Sequence, residues 1–320
     1  MVKILFHTTQ IDVRGTCNAL YYYAHYNEKI LNNESYILTR INNPKTDTIA
    51  FVKFNNRFKI HFYDEHNKQE IQDIIDRNGY DILYDIKYGK NDGFLFKNIK
   101  NVVHYVFDAT EPHGDVFAGV SETLANKFGK SLYVPHMIGL EPTKTGDNLR
   151  TSLKIPENAI VFGRYGGMDT FNLEEVYRAI RKVVREFDNI YFVFINTPQF
   201  DNHNQVKFLD KIINDDDKNK FIQTCDAHLE CSNLGHTFGL SIGEFSVNNK
   251  PIIAYNGYVW NRCHLDILGD KGIYFKTEDE LYSILTTFDK KKYAQTDLNC
   301  YKEFSPDKVM KKFKEVFIDQ

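Results

Sequence analysis

Short apolar runs of strand length alternate with segments of helical period along this chain, and the alternation happens twice. Residues 3–8, with Ile4-Leu5-Phe6 at their centre, read as a buried first strand, because a strand covered on both faces is continuously apolar. Thr16 is placed to cap a helix over 17–30. Residues 36–38 and 60–63 read as further strands. Residues 69–77 put Ile71, Ile74 and Ile75 on one helical face and stop at Asn78-Gly79, ahead of a strand over 81–86. Strands over 102–107 and 116–120 follow, then a helix over 122–128 capped by Ser121, and 131–134 closes the first half. Residues 135–146 carry Pro, Gly and Thr without period and read as a linker. A second set comprises strands over 159–162, 190–195, 227–229 and 251–255, with helices over 173–187 and 219–224 and a helical face through Leu240, Glu244 and Val247. This pattern predicts an α/β chain of two Rossmann-like, doubly wound domains. Their expected limits are 1–138 and 139–304, with a C-terminal helix over 305–320.

The 320 residues suffice for two domains with separate cores, and a hydrophobic content of 42% with 26% charged residues marks a globular chain. A net charge of −3 exerts no general pull on nucleic acid or an anionic membrane. Cys17, Cys225, Cys231, Cys263 and Cys300 are scattered and lack a CxxC spacing, which fits reduced thiols. No apolar run approaches the ~20 residues of a membrane span. The segment from Met1 to Phe6 lacks a signal-peptide layout. A soluble cytoplasmic protein is expected; the number of copies in its assembly is not legible.

Chemistry concentrates between Gly235 and Ile253. Gly239 permits close backbone approach, and the unbonded N–H groups of a helix starting there attract an anion, above all a phosphate. Glu244, about one turn further on, could accept hydrogen bonds from two adjacent hydroxyls. An ordinary helix with a glycine-rich start fits the local pattern as well. Upstream, Gly163-Arg164 ends a buried strand ahead of Gly166-Gly167; Arg164 offers a planar charged fork suited to a diphosphate, or is a surface arginine in a tight turn.

His236-Thr237-Phe238-Gly239-Leu240, Glu244 and Asn249-Lys250-Pro251-Ile252-Ile253 resemble the hallmark of family 4 glycosyltransferases, retaining enzymes of the GT-B fold. That pattern has an acid, a small residue, Phe-Gly-Leu, a second acid and a Lys-Pro strand. Glu244 matches the second acid, whereas His236 stands at the first. The resemblance implies two domains facing across a cleft, with 1–138 on the acceptor side and 139–304 binding the nucleotide sugar. The helix over 305–320 would pack back on the first domain; its apolar side (Val309, Phe313, Val316, Phe317) also allows peripheral membrane contact. By resemblance, Glu244 holds the ribose. Arg164, beside Gly163, and the amides of Thr237, Phe238, Gly239 and Leu240 hold the diphosphate, and His236 faces the donor sugar. Family members add a lysine soon after the arginine, which Met168-Asp169-Thr170-Phe171 does not supply. Gly15 transfers as a loop glycine near the ligand, and Asp108 and His113 as groups near the reacting centre, although a polar surface loop accounts for both.

The implied reaction moves a sugar from a UDP- or GDP-linked donor to a glycan or other glycosylated acceptor, with no cofactor and no metal. Cys225, His228, Cys231 and His236 are zinc-ligand types in an order that structural zinc sites do not use. Asp215-Asp216-Asp217 looks like a metal-binding DxD but reads as a solvated loop. A GT-B epimerase or phosphorylase, or a non-catalytic nucleotide-sugar or glycan binder, are the alternatives.

Overall fold

A computed structural model describes residues 1–143, 145–257 and 259–320; Lys144, inside the expected linker, lies outside the described residues. Two compact units form, one from Met1–Gly139 with Phe304–Gln320 and one from Leu140–Glu303.

The first unit is a parallel sheet of β1 (Lys3–Thr8), β2 (Glu34–Arg40), β3 (Lys59–Tyr63), β4 (Ile82–Lys87), β5 (Lys100–Tyr105) and β6 (Val116–Gly119), in the order β3-β2-β1-β4-β5-β6. Ile4, Leu5 and Phe6 are fully buried, which is why β1 is apolar on both faces. Its helices are α1 (Gly15–Lys29), α2 (Thr48–Asn55), α3 (Lys68–Asn78) and α4 (Glu122–Lys127). α3 ends where Gly79 takes φ 61, a left-handed cap that glycine adopts without strain. Ser121 caps α4 by accepting from the Leu124 amide.

Three local expectations change. α1 starts at Gly15 with Arg14 at its cap and no side-chain cap bond, not behind a Thr16 cap. The Asp12 carboxylate accepts the Arg14 amide at 2.9 Å, so the turn before the helix closes earlier. Residues 131–134 contribute a single bridge, Tyr133 to Gly119, rather than a strand. α2 has no counterpart in the sequence reading: Asp47 caps it through the Ile49 and Ala50 amides, while exposed Ile49 and Val52 blur its apolar period.

The second unit holds β7 (Ile160–Tyr165), β8 (Ile190–Ile195), β9 (Val206–Leu209), β10 (Ala227–Glu230), β12 (Ile252–Tyr255) and β14 (Ile273–Phe275), ordered β14-β12-β10-β7-β8-β9; β11 (Gly235–His236) pairs separately with β13 (Asn261–Arg262). Its helices are α5 (Glu174–Glu186), α6 (Asp215–Thr224), α7 (Leu240–Val247), α8 (Cys263–Leu268), α9 (Glu278–Thr286) and α10 (Lys290–Tyr293). Asp215-Asp216-Asp217 is not a solvated loop but the first turn of α6. Asn214 caps that turn through the Asp217 amide, and the acids face the positive end of the helix dipole.

Both sheets have the same winding, outward from the first strand to one side and then from its other neighbour to the opposite side. The winding reverses between β1 and β4, and again between β7 and β10. Open α/β sheets hold ligands beyond the carboxyl ends of the strands at such a point.

The C-terminal segment belongs to the first unit. α11 (Pro306–Phe313) begins on a proline and continues as a π turn over Lys314–Ile318. Phe313 packs 5.4 Å from Tyr23 and 6.4 Å from Phe6, ring centre to ring centre, so the apolar side of this segment is spent on the core. Among the described residues, no helix is long and apolar enough to cross a membrane.

Candidate functional site

β7 ends in Arg164-Tyr165 and β10 ends in Glu230, so these residues flank the reversal of the second sheet. Arg164 is only 1% exposed. Its Nη1 donates to Thr197 Oγ1 at 2.7 Å, and its Nη2 to the Gly167 carbonyl at 2.8 Å and to the Thr170 hydroxyl. The guanidinium also lies over the Phe171 ring. It is therefore no surface arginine: it folds the turn after β7 onto itself, and its Nε is buried without a hydrogen-bond partner. Burial lowers its pKa, with the nearby Glu230 opposing the shift. The neighbouring Gly163 has a packing reason, since a Cβ there would lie 2.1 Å from Cys225 Sγ.

The start of α7 is built around Gly239, at φ 88 and ψ 64 with no side-chain cap bond. A Cβ at Gly239 would crowd Ile242, His264 and the Tyr301 hydroxyl at 3.0 to 3.3 Å. Thr237 and Phe238 are buried, and the Phe238 carbonyl accepts from Tyr301 at 2.9 Å. Leu240 and Ser241 are half-buried.

Glu244 is 2% exposed. Its carboxylate takes the Lys218 ammonium of α6 at 2.9 Å on one oxygen and the Tyr165 hydroxyl on the other. Neither partner was singled out from sequence. Lys218 sits in a run of polar residues, and Tyr165 is one of 20 tyrosines.

Glu230 is the other residue that sequence reasoning missed, because the expected strand stopped at Leu229. An acid closing an otherwise buried strand beside a sheet reversal was the available signal. Its Oε1 lies 2.9 Å from His236 Nε2 and its Oε2 lies 3.5 Å from His228 Nε2. The His236 contact has ion-pair distance but is out of line for a hydrogen bond. Burial alone would raise the Glu230 carboxyl, yet His236 and His228 hold it well below the usual range. His264 stands edge-on to His236, with ring centres 5.0 Å apart, and burial pushes it down to about 3.

The structure thus gathers Arg164, His236, Phe238, Gly239 and Glu244 around the ends of β7 and β10. Gly15, Asp108 and His113 belong to the other unit. Gly15 is the exposed first residue of α1. Asp108 accepts from the Thr110 amide and hydroxyl, which lowers its pKa. His113 is buried, donating from Nδ1 to the Glu111 carbonyl at 2.7 Å.

Solved structures share the fold. The Anabaena protein Alr3699/HepE in complex with UDP-glucose superposes with a TM-score of 0.76 over 98% of this chain and 99% of its own, at 15% identity. A glycosyltransferase from Rickettsia africae gives 0.73 over 100% and 99%, at 13% identity. The chain has the GT-B fold. The S. aureus protein TarM shows the same GT-B architecture at a TM-score of 0.68, with 9% identity over 100% of this chain and 99% of its own. No family model and no curated protein matches the sequence.

Proposed function

We propose that the protein is a retaining glycosyltransferase that draws its sugar from a nucleotide donor, UDP-linked before GDP-linked, and passes it to a glycan or other glycosylated acceptor. The observation that carries this is the glycine-started α7 beside the reversal between β7 and β10, with an acid one turn into the helix. The α7 amides would seat the diphosphate. Glu244 would take the ribose hydroxyls, and His236 would face the sugar. Residues 1–138 would supply the acceptor side, with Asp108, His113 and Gly15 as its candidates. Preference for UDP is supported by the Anabaena protein, which was solved with UDP-glucose and with UDP and glucose.

On this proposal the departing diphosphate accepts the acceptor's proton on the face where the new bond forms. A paired acid and nucleophile, as in retaining glycoside hydrolases, is then unnecessary. Stabilising the charge that develops on the leaving diphosphate is the main catalytic effect. Because Lys218 and Tyr165 cover Glu244, donor binding would carry a movement: Lys218 leaves the carboxylate to the ribose and turns its ammonium to the diphosphate. That supplies the cation missing from the turn after Arg164.

Non-catalytic binding of a nucleotide sugar is favoured instead by one observation, the buried Arg164 fork already taken up by Gly167, Thr170 and Thr197. Thermal unfolding with a panel of nucleotides and sugar nucleotides, followed by an assay for donor turnover, separates the cases. Binding to the folded state raises apparent stability by about 2.7 kcal/mol at a hundredfold excess over Kd. UDP and a UDP-sugar should raise Tm, and donor should be consumed. Stabilisation without turnover on any acceptor would leave the binder; no stabilisation by any nucleotide removes both.

A further inference from the structure

We propose that Glu230 is a positioning residue for His236: it takes the Nε2 side of the ring, leaving Nδ1 to accept a hydrogen bond from a hydroxyl of the donor's sugar. This rests on the nucleotide-sugar site proposed above and names the group that reads the sugar.

The geometry comes from three directions. Glu230 closes β10 next to the sheet reversal, with 3% of its side chain exposed, whereas 19% of the His236 side chain reaches solvent. The ring thus runs from the buried acid out to solvent. The backbone under the ring is fixed: β11 pairs Gly235 with Asn261 and His236 with Arg262, and Gly235 takes φ 62 where a Cβ would meet the Asn261 carbonyl at 1.9 Å. The edge-on ring of His264 flanks the imidazole.

The two ring nitrogens are chemically distinct, and the partner of one decides what the other can do. In the neutral ring, an acid on Nε2 keeps the proton on that nitrogen and leaves Nδ1 with the lone pair. The contact is close but misaligned in the free protein. Such contacts often tighten only when ligand binds. An imidazole held this way accepts from a neutral sugar's hydroxyl, as a carboxylate would, without adding a second negative charge beside Glu230. A glutamate at 236 would instead set two carboxylates against each other, which disfavours ionising both. The acid at 230 and the histidine at 236 form one unit, and exchanging only one member breaks it.

Titration calorimetry of the full chain with UDP and with UDP-glucose tests this. The readout is the ratio of the two affinities, which a merely structural role would not move. Glu230→Gln should weaken UDP-glucose about tenfold and leave UDP unchanged. His236→Glu should lose the same sugar-dependent share, and the Glu230→Gln/His236→Glu double variant should regain it. If Glu230→Gln fails to fold, His236→Phe, at the partly exposed ring, should show the same loss. A folded Glu230→Gln, or His236→Phe, with the wild-type ratio overturns the proposal. So does a His236→Glu variant that binds UDP-glucose as tightly as the double variant, or a wild-type chain that binds both ligands equally. A wild-type chain that binds neither ligand counts first against the nucleotide-sugar site itself.

Discussion

The Lys218 ammonium lies 2.9 Å from the Glu244 carboxylate, with only 9% and 3% of the two side chains exposed. Two helices that follow different strands meet through this pair. Removing one partner of a buried pair strands the other charge, at a typical cost of about 3–5 kcal/mol. Glu244→Ala and Lys218→Ala should each lower the unfolding free energy in urea by roughly that amount. The double variant should cost clearly less than the sum, since its two sites share one interaction. Additive losses would mean that the pair is not made in solution.

Lys218 also separates binding from stability. If its ammonium turns to the diphosphate when donor binds, Lys218→Met should weaken UDP by about tenfold, more than Lys218→Arg, which keeps the charge. Tighter UDP binding by Lys218→Met would show that the lysine only shields Glu244.

Gly163 is a packing glycine. Gly163→Ala should destabilise by about 1–3 kcal/mol, because the new methyl would lie 2.1 Å from Cys225 Sγ. Cys225→Ala should relieve most of that loss. A double-mutant cycle of thermal melts reads the coupling directly, and a null coupling would place the crowding elsewhere.

Stability should fall as pH drops from about 6 toward 4. Burial lowers His104 to about 4 and His264 to about 3, so the folded chain keeps both neutral. The unfolded chain protonates them near the ordinary value of about 6.5. Over that window the unfolded state binds more protons, and each such histidine removes about 1.4 kcal/mol per pH unit of acidification. Glu230 adds to the loss at lower pH, because its folded pKa is depressed: its contribution is complete above about 4.3 and disappears as pH falls through the folded value. Urea midpoints at pH 7, 6 and 5 should shallow in slope for His104→Gln, whatever its absolute stability. An unchanged slope would count against a neutral buried His104.

Gly239→Ala should both destabilise and abolish nucleotide binding. Its φ of 88 strains any L side chain, and the added methyl crowds Ile242 and His264 at the helix start. A cost of about 1–2 kcal/mol with unchanged UDP affinity would separate the turn from the anion seat.

Legibility followed locality. β1 announced itself because Ile4-Leu5-Phe6 is covered on both faces, and α3 because its isoleucines recur at helical spacing before Asn78-Gly79. α2 stayed hidden because Ile49 and Val52 are apolar yet exposed. The alternation of strands and helices, and with it the doubly wound architecture, follows from apolar period and turn residues, although β9, β14, α2 and α8 to α10 were not legible there. The same holds for the helix start at Gly239, where a left-handed backbone demands glycine.

Which charged groups meet was decided only by the tertiary structure. Arg164 turns inward to Thr197, 33 residues on. Lys218 finds Glu244 across 26 residues, and Glu230 comes within 2.9 Å of His236. Burial strips water from these groups, so each must take the partner that packing of distant elements brings within reach. Residue type and spacing along the chain carry no record of that proximity.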